Sequence, residues 1–322
     1  MMIKLHSESE SKCLVCGSRL KPEIQNIFDT RFGIEDIWQI CRCVDCGIDQ
    51  TVPLPLAEDL KYLYETYYNF GGEKETTYTR LRECFFSSVF YRFWLAIDGD
   101  ISFHSVKGAG RLIDIGCNEG RGLTIYQRNG FEVEGLELNE QAATEARSLG
   151  FRVYTRLLQE FQPEDPYDVV VLSNVLEHSL NPKEMLSHVA RIMKPHGQVW
   201  ISCPNRQSWL RYLFGRYWIN WHVPFHLFHF SEKSLGNLLR NAGFQVTRIR
   251  HKTPSLWMAH SIISRLLARR GHPTSQLRSP SLVVFLMLFC RVVLFPLLWI
   301  GNLTGHSDCL VVVAEKPTEF TH

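Results

Sequence analysis

From Arg111 onward the chain alternates short apolar runs with amphipathic stretches, and this alternation limits its fold more than any other feature. Arg111–Gly116 (RLIDIG), Phe131–Glu137, Phe151–Tyr154, Tyr167–Ser173 and Gln198–Cys203 read as strands. Gly120–Asn129, Glu140–Leu149 and Lys183–Met193 read as the helices between them. Strands and helices in this rhythm predict a parallel sheet covered on both faces, an α/β doubly wound architecture. Gln245–Lys252 and Cys309–Glu315 (CLVVVAE) should complete the sheet, the last strand antiparallel. Ligands of such sheets bind beyond the carboxyl ends of the strands, where the strand order reverses.

The 322 residues are 45% hydrophobic and 21% charged, enough to bury a core. Lys+Arg 35 against Asp+Glu 33 leaves a formal charge of +2, without the strongly basic balance of a dedicated nucleic-acid protein. The opening residues MMIKLHSESESK show no apolar signal-peptide region, so a cytoplasmic location is expected. Cys84, Cys117, Cys203, Cys290 and Cys309 are scattered through apolar surroundings and read as core residues.

The other five cysteines crowd the N-terminus. Cys13-x2-Cys16-Gly17 and Cys43-x2-Cys46-Gly47 form two knuckles, with 26 residues between Cys16 and Cys43. Four thiolates suit a closed tetrahedral zinc site, and each glycine suits the turn that aims two sulfurs at one metal. Cys41 is an alternative to Cys43, although only Cys43 keeps the x2 spacing. The expected organisation is a zinc ribbon (1–56), a helical connector or lid rich in aromatics (57–105), an α/β core (106–252), an apolar helical insertion (253–308) and a final strand with a tail (309–322).

The first strand ends Asp114-Ile-Gly116-Cys117-Asn118-Glu119-Gly120-Arg121-Gly122. Its glycines permit close backbone approach to a ligand at a helix N-terminus, but Asn118 breaks the G-x-G-x-x-G of a dinucleotide fingerprint. Glu137 closes the second strand, where a carboxylate can accept both hydroxyls of a ribose. The two features together indicate an adenosine-containing ligand.

Asp114–Gly120, the Glu137 strand end, Ser173-Asn174-Val175-Leu176-Glu177-His178, Met193-Lys194-Pro195-His196-Gly197-Gln198 and Ser202-Cys203-Pro204-Asn205 resemble successive motifs of class I S-adenosylmethionine-dependent methyltransferases. The cysteine ribbon resembles that of sugar and surface-polysaccharide methyltransferases. The sequence departs from the family pattern at Asn118, at Leu158-Gln159 and at His196. The resemblance implies a seven-stranded Rossmann-like methyltransferase sheet. It also implies a cofactor site of Asp114, Gly116, Cys117, Asn118, Gly120, Glu137, Leu138, Gln159 and Ser173, in which Glu137 holds the ribose and Gln159 approaches the adenine.

Two candidate acceptor-side histidines follow. His178 lies after the fourth strand of the core, and His226 sits in Trp218-Ile-Asn-Trp221-His222-Val-Pro-Phe-His226-Leu-Phe-His229-Phe230-Ser231, just before a helix that Ser231 should cap. His229 is expected to pack or cap. Some relatives bind a divalent metal through Glu-x-x-Glu-His and a later histidine. Here Asn174 replaces the first carboxylate and leaves Glu177, His178 and His226. Sugar C-methyltransferases of similar build resemble a Glu-His pair, and Phe225 occupies that Glu position. The preferred expectation is O-methylation of a glycan, glycolipid or other small acceptor, a small molecule or a lipid-linked saccharide, with His226 as base. The alternatives are sugar C-methylation and a scaffold without turnover.

The 56 residues 253–308 separate the last two strands and centre on Leu282–Cys290, Arg291 and Val292–Ile300. If the flanking strands share one sheet, the segment must leave and return on the same side. That leaves a hairpin or interfacial helix making peripheral membrane contact through 281–301, a homodimer contact, or intramolecular packing. Arg291 would then snorkel to head groups, and Pro296 would bend the helix.

Overall fold

The computed structural model describes residues 12–67 and 88–318, so Tyr68, Cys84, Phe85 and Phe86 lie outside the described residues. The chain opens with β1 (Leu20–Phe28), β2 (Ile37–Cys43) and β3 (Asp49–Val52), an antiparallel meander, followed by helix α1 (Ala57–Tyr67) and helix α2 (Val89–Asp98). The core then runs β4 (Arg111–Ile115), α3 (Arg121–Arg128), β5 (Glu132–Leu136), α4 (Glu140–Ser148), β6 (Arg152–Tyr154), β7 (Tyr167–Ser173), α5 (Pro182–Ile192) and β8 (Met193–Pro204). After α6 (Trp209–Phe214) come β9 (Phe228–His229), α7 (Glu232–Asn241), β10 (Gln245–Lys252), α8 (Ser255–Leu267), α9 (Pro280–Val293), α10 (Phe295–Leu303) and β11 (Cys309–Glu315).

The expected seven-stranded sheet is present in the order β10-β11-β8-β7-β4-β5-β6. β11 runs antiparallel to both its neighbours, while β8, β7, β4, β5 and β6 pair in parallel. The near-continuous apolar run of β7 (YDVVVLS) suits a strand covered on both faces. Local chemistry sets the helix starts. Asn139 accepts from the amides of Gln141 and Ala142 to open α4, and Asn181 accepts from Glu184 before Pro182 at the first turn of α5. Ser231 caps α7 through a reciprocal box with Ser234, as expected.

The N-terminal sheet does not stand apart from the core. Its fourth strand is β9, through the pairs Asp49↔His229 and Gln50↔Phe228. A buried charge network reinforces the junction. Asp49, fully buried, accepts from Arg42 Nε at 3.1 Å and Arg206 Nε at 2.8 Å, with Arg211 at 3.5 Å.

The insertion folds as a bent helix pair. α9 and α10 meet at 72° across Leu294, and Pro296 sits in the first turn of α10, where proline is tolerated. No single helix among the described residues is long and apolar enough to cross a bilayer. Arg291 does not reach outward as expected. It is buried, donates to the carboxylate of Asp98 on α2, and donates to the Thr253 carbonyl at 2.8 Å. A guanidinium that finds a buried carboxylate has no reason to snorkel. Cys290 and Leu298, fully buried beside it, pack with Met258, Trp218 and Trp221. Truncation by Arg291→Ala strands a buried Asp98 carboxylate, and urea denaturation should show a loss of about 3–5 kcal/mol.

Candidate active site

The first half of the site forms at the carboxyl ends of β4 and β5. Gly116 and Gly120 take positive φ of 76° and 79°, and Asn118 adopts the left-handed conformation at 48°. At Gly120 a Cβ would lie 2.8 Å from the Ala146 Cβ, so the turn needs glycine for space as well as for conformation. Glu137 binds the loops together. Its Oε2 accepts from the Asn118 amide at 3.0 Å and its Oε1 from the Asn139 amide at 2.8 Å. The carboxylate remains half-exposed, with lone pairs left for ligand hydroxyls.

Asp114 sits behind the turn, buried, and its carboxyl is pushed up to about 8 by burial and by the charge of Glu137. Cys117 turns its thiol into the core, where a Cβ on Gly135 would meet its sulfur at 2.5 Å. Only its main chain faces the turn. Leu138 and Gln159 are exposed at the rim, after β5 and β6 respectively. Ser173 ends β7 and donates to the Ile101 carbonyl at 3.1 Å, with the Ser202 hydroxyl at 3.3 Å. Hydrogen bonds thus join Gly116–Asn118 to Glu137, while Leu138 and Gln159 flank them.

The second half forms where β7 ends. His178 and His226 face each other with ring centroids 4.7 Å apart. His226 Nδ1 lies 2.8 Å from the Asn220 carbonyl and His178 Nδ1 lies 3.0 Å from the Phe225 carbonyl. A carbonyl only accepts, so each Nδ1 carries its proton and each neutral ring keeps its lone pair on Nε2. Burial lowers the pKa of His178 to about 4, and burial with the neighbouring His178 holds His226 well below the usual range. Both rings are therefore neutral near pH 7.

Glu177 is fully buried, and neither of its carboxylate oxygens has a hydrogen-bond partner among the described residues. Burial pushes its carboxyl up to about 8. Ligand atoms of Glu177, His178 and His226 lie within 4.8 Å of one another, an oxygen–nitrogen set suited to a divalent cation. Asn174, in the left-handed conformation at φ 55°, keeps a buried side-chain oxygen without a partner.

Local sequence signals missed the residues that hold this half together. Thr51 of β3 donates its hydroxyl to the His226 carbonyl at 2.6 Å and lies 3.2 Å from His229 Nε2. Tyr64 of α1 places its hydroxyl 2.8 Å from His178 Nδ1. Phe32, in the β1–β2 loop, packs edge-on against Phe225 at 5.4 Å, and the charge of Arg31 in that loop adds to the depression of His178, His222 and His226. No spacing pattern marks these contacts, because each joins segments more than a hundred residues apart.

The cysteines converge as the spacing predicts. Cys13, Cys16, Cys43 and Cys46 bring their sulfurs within 4.8 Å of one another, with Cys13–Cys46 at 3.7 Å and Cys16–Cys43 at 3.3 Å. Sulfurs bound tetrahedrally at about 2.3 Å from zinc would stand roughly 3.8 Å apart, so the cluster fits a metal-sized centre. Cys41 is not part of it. Its thiol is buried in β2 and raised to about 11 by burial and the charge of Asp49.

This fold and site define a class I S-adenosylmethionine-dependent methyltransferase. The chain belongs to the methyltransferase-domain family, whose model matches residues 89–249, half of the sequence. It is 30% identical over 124 residues to a ubiquinone biosynthesis O-methyltransferase of Aeromonas salmonicida, covering 35% of this chain and 52% of that one. A probable S-adenosylmethionine-dependent methyltransferase of Mycolicibacterium smegmatis is 32% identical over 143 residues, covering 43% of this chain and 53% of the relative. The chain thus spans about half the length of the curated relatives it matches. A Burkholderia thailandensis 1,6-didemethyltoxoflavin-N1-methyltransferase superposes with a TM-score of 0.49 at 16% identity, over 92% of this chain and 100% of that one.

The glycine turn and the half-exposed Glu137 carboxylate fit an adenosyl sulfonium ligand, whose chemistry is an electrophilic methyl group. Calorimetric titration with S-adenosylhomocysteine should therefore detect binding. Glu137→Ala should weaken it about tenfold to a hundredfold, the worth of one hydrogen bond to a charged group.

Proposed function

We propose that this enzyme O-methylates a hydroxyl on a small acceptor, a glycan, glycolipid or other lipid-linked molecule, with His226 taking the hydroxyl proton. The observation that carries the reading is the fixed tautomer of His226, whose Nδ1–H donates to Asn220 and leaves Nε2 free as a base. His178, held the same way by Phe225, orients the acceptor oxygen beside it. Methyl transfer is an in-line displacement, so alignment of the hydroxyl supplies much of the acceleration. The named activity of the Aeromonas relative, an O-methyltransferase, supports the same chemistry. Phe225, buried against Tyr64, His222 and Phe32, brings no carboxylate for a carbon acid.

A second reading draws on the unpartnered carboxylate of Glu177. A divalent cation held by Glu177, His178 and His226 would polarise the acceptor hydroxyl in place of a free histidine base. The two readings separate experimentally. A direct base survives chelation of the Glu177 centre, whereas a metal-assisted reaction is lost with chelator and restored by added magnesium, manganese or zinc.

The four-cysteine centre we assign to structural zinc. Zinc there would brace β3, whose Thr51 and main chain hold the segment carrying His226. Metal analysis should find zinc in the purified chain, and Cys13→Ser with Cys46→Ser should abolish it.

With an acceptor identified by screening glycans and glycolipids, His226→Ala should lower kcat by about a hundredfold to ten-thousandfold and leave S-adenosylhomocysteine affinity intact. Wild-type turnover of no hydroxyl acceptor, with cofactor binding preserved, would favour the scaffold alternative.

A further inference from the structure

We propose that the α9–α10 pair is a docking surface for an anionic lipid bilayer, on which the protein lies without crossing it. On α9 the exposed side chains Phe285, Leu288 and Val292 recur at helical spacing, opposite the buried Val283, Cys290 and Arg291. On α10 Trp299, Ile300 and Leu303 are each more than half exposed, while Leu298 and Gly301 turn inward. The pair therefore has one face built into the protein and one apolar face that stays exposed among the described residues. An apolar surface of this kind, with an aromatic residue such as Trp299 on it, is the composition of an interfacial helix.

Two features decide against a crossing. The strands that bracket the segment are neighbours, with Lys252 paired to Cys309, so the chain leaves and returns at one point of one sheet. Midway, Arg291 is fastened to Asp98 of α2, which keeps the centre of the pair against the protein. Helices of 14 and 9 residues are each shorter than the ~20 residues that span a bilayer.

Charge selects the occupant. Residues 253–307 hold five arginines and no lysine, aspartate or glutamate. Arg291 is neutralised by Asp98, whereas Arg265, Arg269, Arg270 and Arg278, all within 15 residues before the pair, are exposed, Arg265 against Tyr217 and Arg270 donating to the Glu35 carbonyl. A second copy meeting this face across a twofold axis would bring arginines towards arginines, with no carboxylate in either segment to pair them. Anionic head groups supply the missing charge while the acyl region takes the apolar face. The inference does not depend on which acceptor is methylated or on the role of His226.

The test is co-sedimentation of the full chain with vesicles of phosphatidylcholine alone and of phosphatidylcholine mixed with phosphatidylglycerol. Wild type should bind the anionic vesicles, release with salt and bind the neutral ones weakly. Combined Phe285→Ser, Leu288→Ser and Val292→Ser should abolish binding, and Arg269→Gln with Arg278→Gln should weaken it roughly thirtyfold, the effect of two charges at an anionic surface. Thermal melts and S-adenosylhomocysteine binding read out folding, and both should match wild type because all five positions are exposed. Wild type that stays soluble with both vesicle types overturns the proposal. So does equal binding to neutral and anionic vesicles, or a concentration-dependent dimer that the triple serine variant abolishes without any vesicle binding.

Discussion

The pairing of β3 with β9 joins the cysteine-rich meander to the histidine segment. Only two residue pairs make up the ladder, yet Thr51 also reaches the His226 carbonyl, and its amide donates to the Leu227 carbonyl at 2.9 Å. Leu227 in turn donates to the Glu177 carbonyl at 2.8 Å. One main-chain path thus runs from the cysteine-rich meander through the histidine segment to the end of β7. Burial raises the Asp49 carboxyl to about 7 even with Arg42 and Arg211 opposing it, so the junction includes a desolvated charge centre that its arginines must satisfy. What resembles an appended ribbon is structurally continuous with the histidine segment.

The histidine cluster is a region of buried, neutral imidazoles. In His178 and His226 the Nδ1 proton is committed to a carbonyl, which converts an ordinary packing requirement into a choice of tautomer. Glu177 differs because, among the described residues, no proton donor meets its oxygens. A fully buried carboxylate without a partner carries an uncompensated desolvation cost, and with both oxygens bare Glu177 carries two such atoms.

Local chemistry was legible wherever neighbours in sequence are neighbours in space. The strands of the large sheet, the Ser231 cap and the two cysteine knuckles follow from periodicity and spacing, and the structure places them within a residue or two of expectation, apart from β8, which starts five residues early. The Gly116–Gly120 turn and Glu137 belong to the same class, since a short βα loop brings them together. Long-range pairs were not legible. Nothing near Arg291 announces Asp98, 193 residues away, so an arginine in an apolar run reads as a head-group contact. Thr51 and Tyr64 look like ordinary strand and helix residues until His226 and His178 are folded onto them. Cys117 could be placed in the turn but not oriented, because Gly135 on the next strand makes the pocket for its sulfur.

The Arg291–Asp98 pair has a mechanical consequence. It joins the helix pair to α2, and the apolar underside joins it to Trp218 and Trp221, a few residues before His226. A surface mounted this rigidly has no hinge of its own, so whatever it rests on acquires a fixed orientation relative to the histidines. Resting on a bilayer, it would hold the reactive centre at a constant height and make the enzyme a ruler. Acceptors would then be sorted by how far their hydroxyl stands from the lipid that carries it, before any contact with the hydroxyl itself.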